Sequence, residues 1–177
     1  MIKCDACGEA MVQRKATHAS PYLYDESGLS NVHLVGIDVF TCPKCNEESA
    51  EIPAVGHLHE VIARQLVKKA SPLKGEEIRF LRKHAGFPAK KFAALLDQTP
   101  ENLSRVENGP RTKLGGAADR LARAVSIIST DLETGREVLL RVADQLEKKK
   151  GAVVPVCQLG FKLDEKNHCW KQVQIAA

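Results

Sequence analysis

Long hydrophobic runs are absent from this sequence of 177 residues. No stretch approaches the roughly 18 consecutive apolar residues that a membrane-spanning helix needs, which excludes an integral membrane protein. An apolar signal core is also missing at the start, where Cys4 follows only three residues, so we expect a cytoplasmic protein. With 44% hydrophobic and 27% charged residues, the composition is that of a globular protein and excludes disordered or collagen-like chains.

Catalytic motifs are absent as well. The sequence contains no recognisable Ser/His/Asp set, no paired-carboxylate motif and no glycine-rich phosphate loop. We therefore expect that the protein is not an enzyme.

The net charge of +4 conceals a difference between the two parts of the chain. Residues 1–70 carry 7 basic and 9 acidic side chains, whereas residues 71–177 carry 19 basic and 13 acidic ones. This asymmetry predicts two modules that meet different partners.

Four of the six cysteines lie in the first 45 residues, in two C-x-x-C pairs, Cys4/Cys7 and Cys42/Cys45. Each pair is followed by a residue that tolerates a positive φ, Gly8 or Asn46, as a metal knuckle requires. Two facing knuckles form a tetrahedral site of four thiolates, which leaves no open coordination position. The spacing predicts one structural zinc ion per chain. Because large apolar groups are few here, we expect the metal to supply much of this segment's stability.

Other interpretations of these cysteines and of two nearby histidines are less favoured. Structural disulfides need an oxidising compartment, which nothing in the sequence indicates. A thioredoxin-type redox dithiol, and hence a thiol-redox enzyme, normally uses a C-x-x-C that opens a helix after a strand. Cys4 lies near the chain start and Cys42 precedes Pro43, which does not fit. The pair His57 and His59 is expected to open a linker helix and not to form a second metal site.

Helix signals between residues 75 and 116 recur at helix-turn-helix spacing. They predict a helix over Glu76–His84, stopped at Ala85-Gly86, and a second helix that opens at Phe87-Pro88. Thr99 as N-cap and Pro100 at the first helical position start a third helix, which Gly109-Pro110 ends. In this third helix Leu103 and Val106 are expected to face the core, and the polar residues Glu101, Asn102, Ser104, Arg105 and Asn108 are expected to face outward.

Two segments of this region make it similar to a known family. Phe92-Ala93-Ala94-Leu95-Leu96, followed by Leu103-Ser104-Arg105-Val106-Glu107-Asn108-Gly109, resembles the Cro/C1-type (XRE) helix-turn-helix. With the two C-x-x-C pairs, residues 1–149 resemble the MqsA/YgiT group, in which a zinc-binding N-domain is joined to an XRE helix-turn-helix. That group contains type II antitoxins and related regulators. The resemblance implies a close helix crossing at Ala93 and a structural role for Glu107.

The resemblance also implies that the helix from Pro100 to Asn108 enters the major groove of double-stranded DNA. Arg105 can donate to guanine O6 and N7, and Asn102 can pair with adenine N6 and N7, whereas Ser104 is expected to contact phosphate. Further phosphate contacts are predicted for the flanking basic residues Lys90, Lys91, Arg111 and Lys113. The alternative is that these are ordinary solvated charges. Ala89 stands where many family members have a phosphate-binding Gln, and Glu101 puts an acidic group near the DNA, so the operator cannot be inferred from those of relatives.

Two more amphipathic helices are predicted beyond the recognition helix. Residues Ala117–Ser129 carry a stripe of Ala118, Leu121, Ala122, Val125 and Ile128, which is expected to complete the domain core. Residues Arg136–Lys148 carry apolar side chains that suit a partner subunit, although both stripes could instead be internal. A homodimer would contact two half-sites of a palindromic operator.

Residues 150–177 form an extension that the resemblance does not cover. Strand-like runs around Asp164–Asn167 predict a hairpin, and its apolar residues could pack internally or cover a partner. Cys157, His168 and Cys169 have no assigned chemistry.

The predicted fold is α+β. It consists of a β-rich zinc-binding N-domain with a linker helix (1–70), an all-α five-helix DNA-binding domain (71–149) and a hairpin extension (150–177). The expected function is a DNA-binding regulator that represses its own operon and, as an antitoxin, binds a toxin through the zinc domain. The main alternative is a stand-alone regulator with a structural zinc module and no toxin.

Overall fold

The computed structural model describes residues 2–109, 113–128, 159–167 and 169–174. Within these ranges the chain is mixed α+β, with five α-helices and two small sheets, as predicted at this level. The strands are β1 (Val12–Lys15), β2 (Tyr22–Leu23), β3 (Val32–Val35), β4 (Asp38–Thr41), β5 (Glu48–Glu51), β6 (Leu159–Asp164) and β7 (Cys169–Val173). The helices are α1 (Val55–Lys68), α2 (Gly75–His84), α3 (Ala89–Leu95), α4 (Pro100–Asn108) and α5 (Gly116–Ile128).

The chain divides into two units. The first contains residues 1–58 and 157–177, and the second contains residues 59–156. The sequence interpretation placed its boundary at residue 70 and treated residues 150–177 as a separate extension. In the structure the division falls within α1, and the last strands belong to the first unit because they pair with one of its sheets.

The first sheet of the first unit has the antiparallel order β1-β4-β5. Val12 lies opposite Thr41, and Thr41 lies opposite Glu48, so the three strands share one register at this end. The Cys42–Cys45 turn connects β4 to β5 at the same end. The Cys4–Cys7 turn precedes β1 and is closed by a bridge between Lys3 and Ala10. The register of the sheet therefore places both cysteine turns at the same end of its strands.

The strand-like run predicted over residues 32–40 is two strands in different sheets. Gly36 separates β3 from β4 with a φ of 82°, a left-handed conformation that an extended strand cannot contain. Its N–H donates to the carbonyl of Ala16. β4 then pairs with β1, whereas β3 pairs with β2 and β6.

The second sheet joins distant parts of the sequence in the order β2-β3-β6-β7. β6 runs parallel to β3, with Val32 opposite Leu159 and Val35 opposite Lys162, and β7 returns antiparallel to β6. Phe161 and Trp170 are buried, and the indole N–H of Trp170 donates to the carbonyl of Pro53 at 3.0 Å. The hairpin therefore supplies core side chains to the first unit. Of the two predicted roles for its apolar residues, internal packing or covering a partner, these side chains have the first.

The second unit is helical, and its core consists of apolar residues from α1 to α5. The fully buried side chains include Ile62, Leu66, Leu73, Ile78, Leu81, Phe92, Leu103 and Ala122. The predicted helix over residues 76–84 is α2, the one that opens at Phe87-Pro88 is α3, and the third is α4. The predicted helix over Arg136–Lys148 lies outside the described residues.

α5 buries only part of the apolar stripe that its sequence predicts. Ala118 and Ala122 are buried as predicted, and Val125 is half-buried. Leu121 is 41% and Ile128 is 53% exposed, whereas Asp119 and Arg123 are buried. The reason is that Arg123 satisfies the backbone carbonyls at the end of α1. Its guanidinium donates to the carbonyls of Leu66, Val67, Lys69 and Ser71, and its Nε donates to Asp119 Oδ2 at 2.8 Å. Carbonyls at a helix C-terminus lack partners within the helix, so a buried arginine here stabilises the end of α1.

Candidate functional site

The two cysteine turns have the same backbone geometry. In the first, Gly8 N–H donates to the carbonyl of Cys4 at 2.8 Å, and in the second, Asn46 N–H donates to the carbonyl of Cys42 at 2.9 Å. Gly8 has a φ of 74° and Asn46 a φ of 59°, as the sequence predicts for the residues after each pair. Each turn therefore directs two sulfur atoms to the same side of its loop.

The four sulfur atoms lie together. The Sγ–Sγ distances are 3.5 Å for Cys4–Cys45, 3.5 Å for Cys7–Cys42 and 3.7 Å for Cys7–Cys45, and all four ligand atoms lie within 4.8 Å of one another. A tetrahedron with metal–sulfur bonds of about 2.3 Å has sulfur–sulfur edges of about 3.8 Å. A disulfide would need about 2.05 Å, and all four thiols are free. The cluster thus has the dimensions of a four-thiolate metal site.

The cluster is buried on one side and accessible on the other. Cys4 and Cys42 are buried, Cys7 is half-buried and Cys45 is exposed. Backbone N–H groups of Cys45 and Lys44 lower the pKa of the Cys42 thiol to about 7, because they stabilise the thiolate. A ligand set of four thiolates suits a soft or borderline metal ion and fills all four tetrahedral positions, so it leaves no position for a reacting water.

The other metal candidates do not join such a cluster. His57 accepts a hydrogen bond at Nδ1 from the backbone N–H of Trp170 at 3.2 Å, and it lies in α1 as expected. In the described part of the chain, the four cysteines are the one group of three or more potential ligands that could hold a metal ion. Cys169 stands apart from that group, and Cys157 and His168 lie outside the described residues.

In the second unit, α3 and α4 are connected by a tight turn. Asp97 has a φ of 54°, and Gln98 N–H donates to the carbonyl of Ala93. Thr99 then caps α4, because its hydroxyl oxygen accepts the N–H of Asn102 at 3.1 Å. Pro100 occupies the first helical position, where no N–H partner is needed. The local signals in the sequence therefore explain where α4 starts.

α4 has one buried face and one polar, accessible face. Leu103 and Val106 are buried, whereas Ser104 and Arg105 are exposed and Asn102 is half-buried. Among the other predicted DNA contacts, Lys90, Lys91 and Lys113 are exposed, and Arg111 lies outside the described residues. The DNA-binding role of all seven residues stays a prediction.

The C-terminal half of α4 is anchored to α2 by an ion pair. Arg82 donates from Nε and Nη2 to the two carboxylate oxygens of Glu107 at 2.7 and 2.8 Å, and its Nη1 donates to the carbonyl of Phe87. The hydrogen bond to Glu107 raises the pKa of Arg82. Glu107 is only 7% exposed. Because the pair is bidentate and largely buried, it holds the orientation of α4 relative to α2.

One basic residue near this surface was not predicted. Arg79 of α2 donates to Asn108 Oδ1 at 3.0 Å, and Asn108 in turn donates to the carbonyl of Ser104 at 2.9 Å. Arg79 therefore lies at the end of α4, next to its polar face. Its position three residues before Arg82 places it on the same side of α2, which is the signal that could have identified it.

Comparison with known proteins identifies no relative of this chain. No protein-family model matches the chain, and neither a curated protein nor a solved structure matches it. Within the described ranges, every helix is too short or too polar to span a bilayer.

Proposed function

We propose that this protein is a DNA-binding transcriptional regulator whose first unit is stabilised by one structural zinc ion. The observation that carries the proposal is the exposed polar face of α4. Leu103 and Val106 anchor the helix, and Ser104 and Arg105 remain accessible on its other side. Such a helix, preceded by a short helix and a tight turn, has the arrangement that places side chains in the major groove.

The charge of the second unit supports binding to DNA. Its described residues include 13 basic and 7 acidic side chains. Four of the acidic side chains, those of Glu76, Glu77, Glu107 and Asp119, are paired with basic residues. Lys90, Lys91 and Lys113 are exposed on the surface and available to phosphates.

Zinc is the metal that best suits the four-cysteine cluster. The sulfur–sulfur distances fit a tetrahedron, and the complete thiolate set leaves no catalytic position. Because all four positions are protein ligands, the ion joins the Cys4–Cys7 turn to the Cys42–Cys45 turn and contributes to folding.

The resemblance to the MqsA/YgiT group extends the proposal to an antitoxin that represses its own operon in the cytoplasm. The first unit is acidic, with 10 acidic and 7 basic side chains among its described residues, which suits a basic toxin. The DNA partner would be a palindromic operator that a homodimer contacts at two half-sites about 34–36 Å apart. A stand-alone regulator without a toxin is the alternative.

The DNA-binding proposal is tested by Arg105→Ala. Duplexes enriched from a randomised library by the wild-type protein provide the probe. Loss of a bidentate contact to guanine should remove about 1–3 kcal/mol of discrimination at one base pair. Arg64→Ala, an exposed arginine on α1, is the matched control and should leave the preference unchanged. Equal base preferences in the Arg105 variant and the wild type would contradict the assignment.

The antitoxin proposal is tested separately from DNA binding. We expect a neighbouring reading frame that encodes a small basic toxin, whose lethality is suppressed by co-expression of this protein. A gene with no such neighbour, or a neighbour whose toxicity this protein does not alter, would favour the stand-alone regulator.

A further inference from the structure

The side chain of Gln98 connects the turn to the recognition helix. Its Nε2 donates to the backbone carbonyls of Asp97 at 2.9 Å and Leu96 at 3.3 Å. Carbonyl oxygens accept hydrogen bonds and cannot donate them, so the amide nitrogen must face these two groups. The orientation of the Gln98 amide is therefore determined by the backbone of the turn.

This orientation in turn determines that of Asn102. Gln98 Oε1 accepts a hydrogen bond from Asn102 Nδ2 at 2.5 Å. Because an oxygen must receive this bond from a nitrogen, Asn102 turns its own Oδ1 away from Gln98. The backbone N–H of Asn102 is meanwhile bonded to Thr99, which fixes the residue at the start of α4. The positions of Asn102 Nδ2 and Oδ1 are thus both determined before any ligand binds.

The oriented amide has a defined hydrogen-bonding pattern. One of its two N–H groups is engaged by Gln98, which leaves the other N–H and the acceptor Oδ1 for a ligand. An adjacent donor and acceptor in one plane match the N7 acceptor and N6 donor of adenine in the major groove. A side chain already held in the bound conformation loses less entropy on binding, so discrimination should be stronger than for a freely rotating asparagine.

We infer that Gln98 is a positioning residue for base specificity, which holds the Asn102 amide so that it selects adenine at one position of the DNA site. The inference rests on the proposed DNA-binding function and adds to it a residue that itself need not contact DNA. It also explains why a glutamine in the turn is bonded to two backbone carbonyls on one side and to the recognition helix on the other.

The test is a double-mutant cycle on base preference. Wild-type protein, Gln98→Ala, Asn102→Ala and the double variant are each incubated with duplexes that carry each of the four base pairs at every position of the enriched site. In the wild type we expect a preference for adenine at one position of about 5- to 150-fold. Gln98→Ala and Asn102→Ala should each reduce the preference at this same position, and the double variant should lose no more than Asn102→Ala alone.

Further variants separate positioning from a general effect on structure. Gln98→Met keeps the length of the side chain without the amide, so it should reduce the preference as Gln98→Ala does. Gln65→Ala on α1 is the matched control and should leave all preferences unchanged. Preferences at positions outside the Asn102 contact should be retained in the Gln98 variants, which a distorted helix would not allow.

Different outcomes would contradict the inference and the proposed function. If the wild type enriches a site and both Gln98 variants retain its adenine preference, the inference is wrong while the proposed function stands. The inference is also wrong if Gln98 and Asn102 affect different positions or if their effects add. If the wild type enriches no sequence from the library, the proposed function itself fails, and the inference fails with it.

Discussion

In the first unit, strands from distant parts of the chain pair with one another, whereas the second unit is built from helices that follow each other along residues 59–128. β3 pairs with β6 across more than 120 residues of sequence, and the four cysteines join two turns that 34 residues separate. In the second unit, α2, α3 and α4 are consecutive helices with short connections. The first unit therefore depends on pairing between distant strands, whereas the second combines consecutive helices with a few long-range hydrogen bonds such as those of Arg123.

The two units also place their charges differently. The described residues of the second unit include three ion pairs with little exposure, Lys69–Glu77, Arg82–Glu107 and Asp119–Arg123. In the first unit, the pairs among described residues, such as Lys15–Glu165, lie at the surface. Exposed pairs contribute little to stability, whereas removing one partner of a buried pair is costly. We therefore expect a single substitution to destabilise one unit and not the other. Trp170 fluorescence reports on the first unit, and helical circular dichroism reports mainly on the second.

The largest effect is expected from Cys42→Ala. The variant should bind no zinc and lose the fold of the first unit, since a structural zinc site contributes on the order of 10 kcal/mol. Trp170, the single tryptophan, lies in the first unit, so its fluorescence should shift to that of an exposed indole. Helical circular dichroism, which comes mainly from the second unit, should persist.

Cys169→Ala is the control for this experiment, because Cys169 lies outside the cluster of ligands. It should keep one zinc per chain and an unchanged fluorescence spectrum. Clearly less than one zinc per chain in the reduced wild-type protein would contradict the metal site.

Asp119→Ala should destabilise the second unit and leave the first unit folded, with a smaller effect than Cys42→Ala. The substitution leaves the Arg123 guanidinium without its carboxylate and the Leu73 N–H without its acceptor, both in the protein interior. We expect a loss of about 3–5 kcal/mol in the free energy of unfolding, measured from helical circular dichroism in urea. The exposed neighbour Arg120→Ala should change stability little. A loss confined to the Trp170 signal would contradict the distinction between the units.

Gly75→Ala should destabilise the contact between α2 and α4. A Cβ atom at this position would overlap the carbonyl oxygen of Val106, which belongs to the backbone and cannot rotate away. We expect a loss of about 1–3 kcal/mol, because α4 must shift, and, under the proposed function, weaker DNA binding. Gly56→Ala in α1 has free space around its Cβ and should stabilise the protein by about 0.4–1 kcal/mol. If both alanines behaved alike in urea titrations, the close approach at Gly75 would be refuted.

The smallest effect is a pH dependence confined to the second unit. Burial lowers the pKa of His59 and of His84 below 6.5, and both rings lie next to Phe80, with ring centroids 5.5 Å and 6.1 Å away. In the unfolded chain both titrate normally, so below about pH 6.5 the unfolded state binds more protons. Stability is then complete above that pH and declines as the pH falls towards the lower folded-state pKa values.

Thermal unfolding followed by helical circular dichroism at about pH 7 and about pH 5 measures this decline. The double variant His59→Gln/His84→Gln should reduce the difference between the two curves, whereas His18→Gln, an exposed histidine of the first unit, should preserve it. If the double variant showed the same difference in unfolding between the two pH values as the wild type, the pH dependence would come from other groups.

Features specified by neighbouring residues could be predicted from the sequence. Thr99 and Pro100 mark the start of α4, and its apolar residues Leu103 and Val106 are buried, as their spacing indicates. The backbone geometry of each C-x-x-C turn is likewise local, and the affinity of zinc for four thiolates predicts that the two turns lie together, as the cluster shows. The signals for the start of α4 and for each cysteine turn lie within a few residues, so they require no knowledge of distant partners.

Features that depend on distant partners could not be predicted. Nothing near residues 159–164 specifies a parallel pairing with β3, because strand partners are selected by packing across the whole unit. The burial of Arg123 in α5 could not be predicted either, since a buried arginine is recognisable only when the carbonyls at the end of α1 are known. The orientation of Asn102 likewise depends on the turn and is visible only in three dimensions.

The pairing of β3 with β6 has a consequence for the order of events during synthesis. The cysteine turns leave the ribosome before the helices do, yet the second sheet of their unit is incomplete until Leu159–Asp164 has been translated. The described helices, in contrast, are all available about 30 residues earlier, after Ile128. Because structure can form while the chain emerges, the described helices can fold on the nascent chain while the second sheet of the first unit still lacks its last strands.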